Sequence, residues 1–223
     1  MKLSNFQLFE QIVAIVRKDF LLGMRRRASF AAMLMFSLTA VASLSLAAGG
    51  AIIDENLLAA LLWVVIFFAA SAGIAGTFED EATAGTLATL KLYAAPQAVL
   101  FGKMIFTLIN LAALTIFLLP IFFILFDCNV AQILLLAVTI FFGIIGISGA
   151  GTLTAALTVS ATMKGGLFPI LLFPVTLPIF LPAIQLTEAA FTGANFSAEF
   201  LVEMTAYDLI LIIVASILYD YLD

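Results

Sequence analysis

The sequence contains no histidine and only one cysteine, Cys128, among its 223 residues. The lack of histidine removes the usual ligand for haem and metals and the usual proton shuttle. A single cysteine excludes an internal disulfide and a metal site built from several cysteines. The sequence also lacks a GxxxxGK[ST] phosphate loop and a glycine-rich nucleotide fingerprint. These absences argue against catalysis by this chain and indicate that any ATP is bound by another protein.

Charge is scarce as well: 10% of the residues are charged, whereas 65% are hydrophobic. Soluble domains carry charge on about a quarter of their residues, so this composition, with a mean hydropathy of +1.25, indicates an integral membrane protein. The apolar runs are continuous rather than alternating, which favours helices over a membrane barrel. We therefore predict an all-α membrane protein with six transmembrane helices and an interfacial helix at the amino terminus.

The apolar runs predict a single transmembrane domain over residues 1–223. Each run is long enough for the roughly 20 residues that a helix needs to cross the bilayer core. The predicted spans are residues 28–48, 57–78, 99–126, 130–160, 167–187 and 206–222. The ends of the fourth span are the least well defined, and the region 188–205 is expected to form a short helix or a re-entrant hairpin. The segment before the first span is too polar for a cleavable signal, so that span is expected to direct insertion.

The amino-terminal segment has the pattern of an amphipathic helix over residues 4–22, beginning with a capping box of Ser4 and Gln7. Its apolar residues recur at spacings of three and four, at Phe6, Phe9, Val13, Val16 and Phe20. We expect this helix to lie in the membrane interface, with Arg17, Lys18 and Arg25 to Arg27 toward anionic headgroups. The alternative is an ordinary segment at which the chain enters the membrane, with no function beyond setting the topology.

The nine basic residues predict the orientation of the chain. On this assignment they all fall on one side, so the positive-inside rule places both termini, residues 79–98 and residues 161–166 in the cytoplasm. Lys103 and Lys164 are expected to be cytoplasmic anchors, with Lys103 reaching from inside its span to the headgroups. Asp208 is expected to reach the headgroups of the opposite face. No carboxylate is then left at the midplane, which argues against ion-coupled transport.

The longest polar interruption, EDEATAGTLATLK, spans residues 79–91. Three acidic residues lead into a predicted short helix that Glu81 or Thr83 caps and Pro96 ends. The apolar stripe of this helix comprises Leu87, Leu90 and Ala94. A helix that only lies on lipid favours basic residues on its polar face, so the acidic residues favour docking into a groove of a soluble protein partner. Binding to lipid alone stays open as the alternative.

Two spans carry packing signals. The fourth span repeats small residues four apart, including Gly146 and Ala150, which lets helix backbones approach closely. The fifth span contains Pro174, Pro178 and Pro182, each of which removes a helical hydrogen bond. Two interpretations are open for these prolines: a bent structural helix, or a flexible or broken segment at a moving interface.

These features together resemble one known family. The stretch FEDEATAGTLATLKLYAAPQAVLFGK after the second span, the small-residue fourth span, the Lys-Gly-Gly turn at 164–166 and the fifth span beginning LFPILLFPVTLPI are similar to CcmB. That family is the permease subunit of the ABC transporter used in cytochrome c maturation, also called haem exporter protein B. The shorter pattern of an acidic residue followed by GT and Leu is shared with the wider ABC-2 class of permeases.

The resemblance implies partners and roles for individual residues. The chain would act in the bacterial inner membrane with a CcmA-like cytoplasmic ATPase, CcmC-like and CcmD-like membrane subunits and a CcmE-like haem chaperone, with two copies per complex, bound lipids and no nucleic acid. The segment 79–98 would be the coupling helix that contacts the ATPase, and residues 4–22 the connecting helix. The coupling residues would be Glu79, Asp80, Glu81, Gly85, Thr86, Leu87 and Leu90, and those of the connecting helix Phe6, Phe9, Val13 and Arg17.

Haem is expected as the species that the complex handles, whereas no cofactor is assigned to this chain and ATP is bound by the partner. Without histidine, only Met, Tyr or Cys128 could ligate the iron, so a mechanical role is favoured over conduction of haem. Whether haem passes through this subunit, and the stoichiometry of the complex, stay open. The alternatives are an ABC-2 permease that exports a lipid, glycan or drug, and an ATP-independent membrane scaffold or carrier.

Overall fold

The computed structural model describes residues 5–26, 28–160 and 167–221, without the side chains of residues 5, 25, 26, 28, 77, 79, 80, 87, 88 and 91. The described residues form helices and no strands, which confirms the all-α prediction. The helices are α1 (Asn5–Arg26), α2 (Ala28–Ala48), α3 (Glu55–Ile74), α4 (Gly76–Thr83), α5 (Leu87–Tyr93), α6 (Pro96–Phe126), α7 (Ile133–Ser160), α8 (Phe168–Thr192) and α9 (Ala198–Asp220).

Six of these helices, α2, α3, α6, α7, α8 and α9, are long and apolar enough to cross a membrane. The shortest of them has 20 residues, which at about 1.5 Å per residue matches a hydrocarbon core of about 30 Å. The prediction of six spans with a separate amino-terminal helix is therefore confirmed.

The last span differs from its predicted bounds. Helix α9 begins at Ala198 rather than at residue 206, and α8 continues to Thr192, so most of the region 188–205 is helical. Gly193 ends α8 in the left-handed conformation at φ 76°, and the side chain of Ser197 caps α9 by accepting a hydrogen bond from the Glu199 backbone. The acidic residues Glu199 and Glu203 are exposed on the first turns of α9. They interrupt the apolar run, which is why the sequence pattern placed the start of the span too late.

Helix α7 is the centre of the bundle and contacts α3, α4, α6, α8 and α9. Its glycines allow these approaches, because a Cβ atom added at any of them would collide with a neighbouring side chain. The collisions would be with Trp63 at Gly143, with Asp208 and Ile179 at Gly146, with Leu211 at Gly149 and with Ile74 at Gly151. Ala150 is fully buried on the same helix. The predicted small-residue packing at Gly146 and Ala150 thus lies at the core of the fold.

The proline-rich helix α8 is continuous from Phe168 to Thr192. Pro174 and Pro178 are exposed on its outer side, and Pro182 is buried. In the turn before Pro178, the hydroxyl of Tyr207 donates a hydrogen bond to the Val175 carbonyl at 2.6 Å. This bond ties α8 to α9 where the proline ring weakens the helical ladder. The structure thus contains one unbroken helix at these prolines rather than a broken segment. A role of the prolines as a hinge stays a prediction.

The remaining helices lie around this core. Helix α2 packs on α3 and α6, and α1 packs mainly along α6. We call the end of the bundle that carries α1, α4 and α5 the basic end. The opposite end, with residues 49–54, 127–132 and 193–197 between the spans, is called the acidic end.

Candidate functional site

The polar segment after α3 forms two short helices, α4 and α5, joined by a turn at Gly85. The Thr86 N–H donates to the Glu81 carbonyl at 3.0 Å and the Gly85 N–H donates to the Ala82 carbonyl at 3.2 Å. This pair of bonds is the Schellman ending of a helix, in which the residue after the cap adopts a left-handed conformation. Gly85 does so at φ 70°, a value that costs a residue with a Cβ atom free energy. The Gly-Thr pair is therefore the corner of the α4–α5 hairpin.

The side chains of the hairpin differ in orientation from the expected docking stripe. Leu90 and Ala94 are half-buried against the core of the bundle, so they do not form the outward face. Leu92 and Tyr93 are instead exposed, at 83% and 82%. Neither Glu81 nor Thr83 caps the second helix: the cap position of α5 is Thr86, without a side-chain capping bond. We call residues 82–86 with Leu92 and Tyr93 the hairpin surface.

Four ionisable side chains from three helices meet beside this hairpin, and we call them the charge cluster: Lys18, Asp19, Glu81 and Lys103. Lys103 Nζ lies 3.1 Å from Glu81 Oε2 and 3.4 Å from Asp19 Oδ2. Lys18 Nζ lies 3.1 Å from Asp19 Oδ1 and also pairs with Glu81 Oε1. Each cation thus contacts both anions. The cluster joins α1, α4 and α6 although these residues are far apart in the sequence.

Most of the charge cluster is buried. Lys103 is 1% exposed, and Asp19 and Glu81 are each 7% exposed. The ammonium group of Lys103 also lies 4.8 Å from the centroid of the Phe78 ring, an arrangement that favours a cation. Two positive and two negative charges balance. Removing one partner of a buried pair leaves an uncompensated charge, at a cost of about 3–5 kcal/mol.

Lys18 is the most exposed member of the charge cluster, with 36% of its side chain accessible. Burial lowers the pKa of Lys18, but the hydrogen bond to Glu81 and the charges of Asp19 and Glu81 outweigh burial and raise it above its ordinary value. Lys18 is therefore held in its charged form.

Helix α1 exposes large apolar side chains on its outward side and packs a face of both apolar and polar residues against the protein. Phe6, Phe9 and Val13 are exposed at 70%, 63% and 49%, and Arg17 is exposed beside them. The inward face carries Asp19 of the charge cluster. An exposed apolar face suits a helix that lies in lipid, whereas Asp19 on the inward face pairs with Lys18 and Lys103.

Two further contacts hold α1 against α6. Gln11 Oε1 accepts a hydrogen bond from the backbone N–H of Ala95, the residue that caps α6, at 3.0 Å. Ile15 is buried and lies over Gly102, where an added Cβ atom would come 2.7 Å from the Ile15 side chain. The helix is therefore fixed to the start of α6 and to the hairpin.

The expected role of Lys103 is corrected by these contacts. Its ammonium group does not reach out to headgroups but is buried between Asp19 and Glu81. Glu81 was expected to contact a partner protein, but its carboxylate is buried in the charge cluster, where it pairs with Lys18 and Lys103. Gln11, Asp19 and Ile15 were not among the predicted site residues. These three residues recur at a spacing of four and so share one face of α1, which was a usable signal, because an acid on a face that packs against the protein can pair with an interior cation.

Some predicted site residues lie outside the described part of the chain. These are Lys164 and the side chains of Glu79, Asp80 and Leu87. Their assignment to the coupling segment or to the cytoplasmic anchor stays a prediction. Of the other coupling residues, Gly85 and Thr86 are exposed at the corner of the hairpin.

Cys128, a candidate iron ligand, lies at the acidic end in a cavity of about 330 Å³. The cavity is lined in part by Ser45, Glu55, Asp127 and Asn129. Burial, together with the charge of Glu55, raises the pKa of the Cys128 thiol to about 11. The thiol is therefore neutral at physiological pH, whereas metal ligation needs the thiolate. Within the described residues, no three His, Cys, Asp or Glu side chains are grouped to hold a metal ion.

The chain is similar to a known protein family. The family model described as CcmB protein matches residues 10–218, from the first half of α1 to the last turns of α9. No curated protein matches the chain. The matched range includes the charge cluster and the α4–α5 hairpin.

Proposed function

The chain belongs to the CcmB family, and we propose on that premise that it couples ATP hydrolysis by a separate cytoplasmic ATPase to the handling of haem in cytochrome c maturation. The family is a membrane permease component of the haem exporter system, so the chain is a multi-pass inner-membrane transporter subunit within that complex. The contact with the ATPase and the orientation are inferred from the basic end, whereas the other partners are inferred from the family alone.

The charge cluster is the observation on which the proposal rests. It connects the hairpin, through Glu81, to α1 through Asp19 and to α6 through Lys103. Separating buried opposite charges is costly, so a displacement of α4 moves α1 and the start of α6 with it. Helix α6 in turn contacts α2, α7 and α9. A push on the hairpin therefore reaches the core of the bundle through packed, rigid elements.

The hairpin surface supports contact with a soluble protein. It presents two large exposed side chains, Leu92 and Tyr93, at the end of α5 and the exposed corner at Gly85 and Thr86 before its start. Short helices with apolar anchors commonly dock into grooves of partner proteins. We propose that this surface, rather than the buried stripe of Leu90 and Ala94, contacts a CcmA-like ATPase.

The distribution of charge supports the proposed orientation. Arg17, Lys18 and Lys103 lie at the basic end, whereas the segments at the acidic end contain Asp54 and Asp127 and no Lys or Arg. Basic residues accumulate on the cytoplasmic side of bacterial membrane proteins. We therefore propose that the basic end and both termini face the cytoplasm, where an ATPase reaches the hairpin surface.

Haem is proposed as the substrate of the whole complex. The chain has no histidine, and the neutral Cys128 thiol is a weak ligand for iron. We propose that this subunit transmits movement, while CcmC-like, CcmD-like and CcmE-like partners bind and pass on the haem. Two copies of the chain are proposed in the complex, as expected for a permease driven by paired ATPase subunits.

Co-purification with the ATPase tests this proposal. The variant Leu92→Glu places a charge on the hairpin surface, and the matched control Ile52→Glu does so at the acidic end, where Ile52 is fully exposed. We expect Leu92→Glu to lose the ATPase from the detergent-solubilised complex and Ile52→Glu to retain it. Equal retention of the ATPase by both variants would contradict the assignment of this surface.

The same preparation separates the alternative functions. If no ATPase accompanies the unmodified chain, it is a scaffold or an ATP-independent carrier. If an ATPase accompanies it but deletion of the chain leaves c-type cytochromes at normal levels, it is a permease for a lipid, glycan or drug. The proposed function requires both the ATPase and the loss of c-type cytochromes.

A further inference from the structure

A single carboxyl group lies in the middle of the bundle. Asp208 is near the centre of the 23-residue helix α9 and is 4% exposed. It belongs to the inward stripe of α9, whose other members are apolar or aromatic: Met204, Leu211, Ala215 and Tyr219. Asp208 therefore does not reach the headgroups, and the expectation that no carboxylate lies near the midplane is wrong.

Neither oxygen of Asp208 has a hydrogen-bond partner among the described residues. One of them, Oδ1, lies against α7 so closely that a Cβ atom on Gly146 would collide with it. The same Cβ atom would collide with Ile179 of α8. The carboxyl group is thus enclosed where α7, α8 and α9 meet.

No cation faces this carboxyl group within the described part of the chain. Helix α7 has no ionisable residue, and α8 has only Glu188, which accepts a hydrogen bond from Asn56. Helix α6 has only Lys103, which pairs with Asp19 and Glu81. On α9, Glu199 and Glu203 are exposed toward the acidic end, Tyr207 donates to the Val175 carbonyl, and Tyr219 and Asp220 lie three turns away at the basic end.

An ionised carboxylate in this place is unfavourable. A charged side chain at the centre of a membrane helix is energetically costly, and a buried charge without a partner generally becomes neutral by binding a proton. A bound metal ion would need several oxygen ligands around it, and no such group of ligands surrounds Asp208 in the described chain. A proton is the ligand that fits a single enclosed carboxyl group.

We propose that Asp208 is a proton-binding site of the membrane domain, occupied while α9 is packed on the glycines of α7 and vacated when the two helices separate. On separation, water reaches the carboxyl group, the O–H bond breaks and the proton passes to that water. On closure, a proton from water binds the carboxylate again. Movement of α9 is thereby linked to the uptake and release of one proton.

The location favours such a link because α9 rests directly on glycines. Leu211, one turn from Asp208, lies 2.6 Å from the position of a Cβ atom on Gly149. With no side chains of α7 interposed at Gly146 and Gly149, a small displacement of α9 is enough to expose the carboxyl group. The release step, unlike the occupancy of the site, rests on the ATP-driven movement proposed above.

Infrared spectroscopy of the complete complex in lipid bilayers tests the occupancy. Without nucleotide, we expect the carbonyl stretch of a protonated carboxyl group that is lost in Asp208→Asn. The matched control Glu203→Gln removes an exposed carboxylate from the same helix and should leave this band unchanged. If Asp208→Asn instead removes a carboxylate band, or one that shifts with sodium or potassium, the group is ionised or binds a cation and the proposal is wrong.

Trapping the ATPase with ATP and vanadate tests the release. We expect the protonated band to be lost in the trapped complex and c-type cytochrome assembly to be lost in Asp208→Asn, with Asp208→Glu restoring part of it. A protonated band that persists after trapping, together with normal assembly by Asp208→Asn, would reduce Asp208 to a permanently neutral core residue. Failure to isolate any ATPase would contradict the proposed function, while the test of occupancy would stand independently.

Discussion

The charge cluster and Asp208 are two buried polar sites with opposite designs. In the cluster, two cations and two anions from three helices satisfy one another. Asp208 has no such partner, although it is buried to a similar extent. Paired charges hold elements together, because separating them exposes each one. A solitary carboxyl group does not link helices to one another, and burying it lowers the stability of the packing that encloses it. We therefore expect the helices of the basic end to move as one rigid body and the interface between α7 and α9 to be the one that opens.

The largest effect should come from removing the most buried cation. We expect Lys103→Met to lower the free energy of unfolding by about 3–5 kcal/mol, because Asp19 and Glu81 then lose their buried counter-charge. Denaturation of the purified protein in detergent measures this. The exchange of charges, Glu81→Lys with Lys103→Glu, should recover much of the loss that Glu81→Lys causes alone. Equal stability of the single and exchanged variants would contradict the pairing.

Asp208 should respond in the opposite direction. Replacing an unsatisfied buried polar group by an apolar one of similar size is expected to stabilise the protein, by about 1–3 kcal/mol for Asp208→Leu. The same denaturation measurement applies. Assembly of c-type cytochromes should nevertheless fail, since the proton site is gone. A destabilised Asp208→Leu would mean that Asp208 has a partner and that the contrast between the two sites is false.

Gly85 should give a smaller effect on stability and a large one on function. Gly85→Ala forces a Cβ atom into the left-handed region, at a cost of about 1–2 kcal/mol, whereas Gly85→Asn should be better tolerated. Gly85→Pro cannot adopt φ 70° and loses the N–H that bonds to Ala82. We expect it to insert normally but to abolish cytochrome c assembly, as measured by haem staining of membranes. Normal haem staining with Gly85→Pro would remove the hairpin from the coupling mechanism.

Replacing Lys18 should have the smallest effect on stability, because about a third of its side chain is exposed. Pairs of this exposure contribute about 0–1 kcal/mol, so Lys18→Gln should cost much less than Lys103→Met. The pKa of Lys18 is raised in the folded protein, so its contribution is complete at neutral pH and is lost only as the pH rises through that raised value. Denaturation at neutral and strongly alkaline pH should therefore differ less for Lys18→Gln than for the unmodified chain.

The sequence was sufficient for features that depend on local pattern. The six apolar runs predicted the spans, and the spacing of Phe6, Phe9 and Val13 predicted α1 as an amphipathic helix. The corner at Gly85 was not predicted: the sequence pattern indicated one short helix that ends at Pro96, whereas the left-handed conformation of Gly85 separates α4 from α5.

The misplaced residues are those whose environment depends on distant partners or on an exact helix end. A lysine near the end of a span usually extends to the lipid headgroups. Lys103 does not, because Asp19, 84 positions earlier in the sequence, lies beside it in the fold. The position of Asp208 in the membrane depends on where α9 begins. A helix that starts at residue 206 places Asp208 near the headgroups, whereas the observed start at Ala198 places it in the core. In both cases, the apolar pattern was right and the position of one charge decided the chemistry.

The side of the membrane on which the hairpin lies is the most direct test of the whole account. Thr86→Cys at the hairpin corner and Ile52→Cys at the acidic end, each in a Cys128→Ser background, provide two exposed thiols at opposite ends of the bundle. A membrane-impermeant maleimide should label Thr86→Cys only in inverted vesicles and Ile52→Cys only in intact spheroplasts. Labelling of Thr86→Cys in intact spheroplasts would place the hairpin away from the cytoplasm and its ATPase, which would contradict the account.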